Sequence, residues 1–144
     1  MLHSILLWSN TMSTFDQTLL QACAESTLNG TLPFPEVIQR LSPSVEQYHV
    51  DLIRLEMTYY GHQGQSFVYP LNLNKLPAIA SQLDLVAFQT ALKASQRGEI
   101  SYPTFLQQSM AAGVSSYLVF LSGRLAIYVG RNGAYSVEPF PTQP

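Results

Sequence analysis

Apolar residues along this chain switch between two spacings, and they do so twice. Phe15, Leu19, Ala22 and Cys23 recur three and four apart, which lines one side of a helix. Asn29-Gly30 should end that helix, because glycine takes the positive φ of a helix terminus at no steric cost. The connector Thr31-Leu32-Pro33-Phe34 leads to a second helix starting at Pro35, with Val37, Ile38 and Leu41 inward and Pro43 as its stop. The period then shortens to two. Strands are expected from Tyr48 to Ile53, from about Glu56 to Tyr60, and from Ser66 to Tyr69, with Gly61-His62-Gln63-Gly64 at a turn.

The series then returns. Leu85, Phe88 and Leu92 mark a helix ending near Arg97-Gly98. A second helix starts at Pro103, turns Phe105, Leu106 and Met110 inward, and stops at Gly113. Strands follow from Tyr117 to Leu121, Leu125 to Val129 and Tyr135 to Val137, with tight turns at Ser122-Gly123 and Asn132-Gly133. Ser13-x-x-Asp16 and Ser81-x-x-Asp84 read as capping boxes that open the first helix of each series.

Ser13 to Leu71 and Ser81 to Phe140 therefore share one plan. Matched residues lie 68 apart up to Pro35 and Pro103, and 69 apart from Val45 and Val114 onward. They are glycines, prolines, caps and apolar residues, which set a backbone path rather than a chemistry. The expected fold is α+β: an internal duplication of a helix–helix–three-stranded antiparallel meander unit about a pseudo-twofold axis, with helices covering one side of the sheet. Residues 1–12 form an N-terminal extension, and 13–144 a single domain made of two repeats, 13–71 and 81–140. Leu73, Leu76 and Ile79 should pack where Asn72 to Ala80 link them.

Composition narrows the function. Charged residues make up 11% of the 144, well under the ~25% usual in soluble domains. So neutral a surface hints at self-association, with a homodimer as a candidate assembly, and fits equally a soluble monomer with an amide- and hydroxyl-rich exterior. Seven basic residues, dispersed, give no stripe that would neutralise phosphates, which argues against nucleic acid. No segment is long and apolar enough to span a membrane. The single cysteine, Cys23, aligns with Ala91, reads as a small core residue and fits a reducing, cytoplasmic setting.

Each copy is a control for the other. His49 and Asp51 project from one face of a strand, whereas their counterparts Leu118 and Phe120 are apolar. Glu56 and Thr58 replace Leu125 and Ile127 on the next strand. Hairpin pairing sets Asp51 opposite Glu56 and His49 opposite Thr58. Facing carboxylates need a counter-charge, from Arg54, a protonated His49, a shared proton or a metal. His49, Asp51 and Glu56, with Arg54 and Tyr60 nearby, are thus the catalytic candidates, and the first three the metal candidates. The competing reading is that the first meander turns this face to water while the second buries its own. Glu25-x-Thr27-x-Asn29-Gly30-Thr31 with Glu36 also follows the spacing of a calcium-binding loop, imperfectly, and the second copy lacks the ligands.

The stretch Tyr48-His-Val-Asp-Leu-Ile-Arg-Leu-Glu-Met-Thr-Tyr-Tyr60 carries a family resemblance. So do Ala94-Ser-Gln-Arg-Gly-Glu-Ile-Ser-Tyr102, Ala112-Gly-Val, Gly-Arg-Asn-Gly and the ending Val-Glu-Pro-Phe140. Over nearly everything after Met12 the chain resembles a bacterial family of uncharacterised proteins sometimes labelled "phage envelope protein". The resemblance implies no activity, cofactor or catalytic residue. The expected function is a non-catalytic binding or regulatory module, with a protein or small-molecule ligand at the cleft between repeats. The alternatives are a small metal-dependent or acid–base enzyme using His49, Asp51 and Glu56, and a phage-associated structural protein.

Overall fold

The structure, a computed structural model, describes residues 15–141. Ser13, the extension 1–12 and the last three residues lie outside the described residues. The order is α1 (Gln17–Leu28), α2 (Phe34–Leu41), β1 (Val45–Asp51), β2 (Glu56–Gly61), β3 (Ser66–Pro70), then α3 (Leu85–Gln96), α4 (Tyr102–Ala111), β4 (Val114–Phe120), β5 (Leu125–Gly130) and β6 (Tyr135–Pro139). The six strands form one antiparallel sheet in the order β3-β2-β1-β4-β5-β6. The fold class is α+β, with two helix–helix–three-strand units in sequence order. No helix among the described residues is long and apolar enough to cross a membrane.

The sheet repeats its own register. Every β1–β2 pair, from Val45↔Gly61 to Asp51↔Glu56, recurs 69 residues later from Val114↔Gly130 to Phe120↔Leu125, with an irregularity at the same place. The outer pairs do likewise, Glu56↔Pro70 returning as Leu125↔Pro139. Leu55 and Arg124, also 69 apart, both hold left-handed backbone, with φ 58° and 55°. The left-handed position of the second turn is therefore Arg124 and not the neighbouring Gly123. At the centre β1 and β4 pair antiparallel, Gln47↔Phe120 and Asp51↔Ser116 flanking His49↔Leu118 symmetrically. The local twofold thus passes through the His49–Leu118 pair.

Helix ends follow from local chemistry. α1 and α3 close identically: the Gly30 amide donates to Thr27 O and Thr31 to Ser26 O, as Gly98 donates to Ser95 O and Glu99 to Ala94 O. Gly30 and Gly98 sit at φ 77° and 72° to allow it. The capping boxes are corrected. Asp16 and Asp84 are themselves the N-caps, accepting from the amides of Thr18 and Ala87. A reciprocal box would use its acid to bond the cap's amide. It would also have the serine hydroxyl accept the acid's own amide, but the Asp84 amide already donates to Ala112 O at 2.7 Å.

All four described helices contribute buried side chains to the core cluster on one face of the sheet. Val37, Ile38, Leu41, Phe105, Leu106 and Met110 point inward as the spacing predicts. On α1 the inward face is rotated by one residue. Leu20, Cys23 and Ala24 are buried and Leu19 is exposed; on α3, Phe88, Ala91 and Leu92 are buried and Leu85 is exposed. Burying a Leu or Phe contributes about 1.5–3 kcal/mol, which fixes that rotation. Leu73, Leu76 and Ile79 pack against the core from the linker.

Candidate functional site on the open face of the sheet

Strand pairing lays the outward side chains in three rows across the six strands. The middle row runs Val68, Thr58, His49, Leu118, Ile127, Val137. One flanking row is Ser66, Tyr60, Gln47, Phe120, Leu125, Pro139; the other is Pro70, Glu56, Asp51, Ser116, Val129, Tyr135. The first meander supplies the mostly polar half and the second the mostly apolar half. All of these positions keep some exposure, and Tyr135, Val137 and Val68 are 66%, 47% and 48% exposed. The second meander therefore does not bury its face against any described element. Both halves share one surface that no other described element covers, because the described helices lie on the other side.

The sequence candidates fall on this face, but they are already engaged. Asp51 Oδ1 accepts the backbone amides of Ile53 at 2.9 Å and Arg54 at 3.0 Å, holding the β1–β2 turn. The Arg54 guanidinium donates to both Glu56 oxygens, Nε and Nη2 each at 3.2 Å. Arg54 is thus the counter-charge that the facing carboxylates require. It stands in the open, its side chain 70% exposed. No group of three or more His, Cys, Asp or Glu side chains among the described residues is placed to hold a metal ion.

His49 stands one row away, about 6.8 Å along the strand from Asp51. Its Nε2 donates to Gln47 Oε1 at 2.7 Å, and its ring packs on Tyr60 with centroids 4.8 Å apart. Partial burial holds its pKa below the ordinary histidine range. Among the described residues its one side-chain hydrogen bond is to an amide. Around it lies a shallow depression of about 390 Å³ lined by Glu46, Gln47, His49, Tyr60 and His62. Glu46 and Gln47 escaped the sequence reading, because an irregularity in β1 brings them there, and His62 joins them from the turn in which the sequence placed it. A second shallow depression, of about 460 Å³, lies beside α1 and Phe67.

No gap separates the two halves in the sheet, where β1 and β4 pair directly. On the helix side the junction is filled by buried Tyr48, Tyr59, Tyr117 and Tyr128, with the Tyr102 and Tyr117 hydroxyls hydrogen-bonded. Burial pushes these phenols well above the usual range, so all stay neutral. Cys23 is a free, buried thiol raised the same way. The calcium-like spacing resolves into a helix end. Glu25 and Thr27 are still helical, Thr27 Oγ1 donates to Cys23 O, and Asn29 Oδ1 accepts from Thr31.

Comparison with known proteins gives a family and no activity. No curated protein matches the sequence. The model of one family, described as "Protein of unknown function (DUF1398)", matches residues 22–136, from within α1 to the start of β6. That span covers most of the chain, and the protein belongs to the DUF1398 family.

Proposed function

We propose that this protein is a non-catalytic binding module that works through the open face of its sheet. One observation carries the reading: the helices pack on one side, and the other presents Leu118, Phe120, Leu125, Ile127, Val129, Tyr135 and Val137 side by side. A soluble monomer rarely exposes an apolar surface that continuous without a use for it. The polar half supports the same reading. Asp51 and Glu56 serve a turn and an ion pair, and among the described residues His49 has no acid or nucleophile bonded to it. The cytoplasmic setting proposed with it rests on the free Cys23 thiol. The phage-associated alternative draws no support from the family description.

The experiment sets this reading against a metal-dependent enzyme. Melting is followed with and without zinc or manganese, in the wild type and in His49→Ala. The expected result is the same small response in both proteins. A melting point raised by several degrees in the wild type alone would overturn the binding reading in favour of a metal centre.

A further inference from the structure

We propose that the partner on this face is a second copy of the chain, the two sheets packing face to face about a twofold axis that runs across the strands. The proposal rests on the binding-module reading and names its partner.

Size is the first argument. Six strands about 4.8 Å apart and three rows about 6.8 Å apart give a footprint of about 29 by 20 Å, or roughly 580 Å². Two such faces in contact remove roughly 1,200 Å² from water before side-chain relief is counted, the lower edge of a stable interface. The apolar half alone supplies about half of that and falls short. A stable pair must therefore overlap over the whole face.

Chemistry then selects the axis. A twofold parallel to the strands would lay the apolar columns of one copy on the polar columns of the other. Phe120 and Leu125 would strip water from carboxylates and amides with nothing to replace it, at a cost of a few kcal/mol per group. A twofold along the middle row keeps each half on its own kind. Leu118 and Ile127 then meet their own copies on the axis, and Leu125 meets Val129. In the polar half the flanking rows exchange, which sets the Tyr60 hydroxyl opposite Glu56 and the Gln47 amide opposite Asp51. Each carboxylate faces a donor, so the polar half is matched as well as the apolar one. Packed antiparallel sheets adopt this layered arrangement about 10 Å apart.

The test is the molar mass of the full chain by light scattering. The wild type should weigh twice the 16.0 kDa of one chain. Ile127→Lys should fall to a single-chain mass with an unchanged circular dichroism spectrum, and Tyr135→Glu, at an exposed edge position, should do the same. Val86→Lys, at a residue 79% exposed at the start of α3 and off this face, should stay dimeric. A wild type of single-chain mass overturns the proposal, as does an Ile127→Lys protein that remains dimeric. Binding of an apolar dye separates the two levels. A monomer whose dye binding is lost in Ile127→Lys keeps the binding face and refutes only the second copy. A monomer that binds no dye there refutes both.

Discussion

Asp51 shows how a side chain that resembles chemistry can be structural. Its carboxylate holds two amides of the β1–β2 turn, while the neighbouring Arg54 is spread in solvent against Glu56. These roles predict unequal losses. Asp51→Ala should cost about 1.5–3 kcal/mol in urea denaturation, the worth of hydrogen bonds to a charged acceptor. Asp51→Asn keeps an acceptor oxygen and should cost little, and Arg54→Ala less than about 0.5 kcal/mol, as exposed ion pairs do. If Asp51→Asn proved as damaging as Asp51→Ala, the negative charge itself would be the working feature. The sequence made His49, Asp51 and Glu56 legible as a set, because their counterparts are apolar and the register is dictated by the hairpin. It could not show that backbone amides and Arg54 satisfy the acids, since those contacts depend on turn geometry.

At the scale of elements, local signals placed every helix and strand of the described chain, but β1 and β4 start at Val45 and Val114, three residues before the expected Tyr48 and Tyr117. The serine of Ser81-x-x-Asp84 is not the cap because the Asp84 amide is taken by Ala112 O, a partner distant in sequence. Leu19 fits an apolar stripe by spacing, yet points outward because Leu20 is buried in its place, and Leu85 is exposed while Phe88 and Leu92 of its stripe are buried. Gly113 is a further case. It ends α4 at φ 103°, and a Cβ there would lie 2.3 Å from the Gln82 carbonyl oxygen. Gly30 ends α1 at φ 77° with open space around it. Gly113→Ala should therefore cost about 3 kcal/mol or more, from backbone strain together with overpacking, and Gly30→Ala about 1 kcal/mol from backbone strain alone. Equal losses on denaturation would mean that the 82–83 segment yields freely, contrary to the packing described.

For the whole molecule, the repeat was legible because glycines, prolines and apolar positions recur at a fixed offset, and the sheet carries that offset into its hydrogen bonding. What stayed hidden was the fate of the second meander's outer face. Leu118, Phe120, Leu125 and Ile127 read as buried by composition alone, since apolar strand residues on both faces ordinarily mean a covered sheet. The described fold leaves them open beside a polar half, and the proposed pairing with a second copy rests on that contrast. The most direct test is nuclear magnetic resonance with a soluble paramagnetic agent, comparing the methyl groups of Leu118, Ile127 and Val129 with those of Val86. Protected face methyls beside strongly broadened Val86 signals are predicted at concentrations where the chain is dimeric. Face methyls broadened as far as those of Val86 would contradict the account, because the surface on which it depends would then be standing in water.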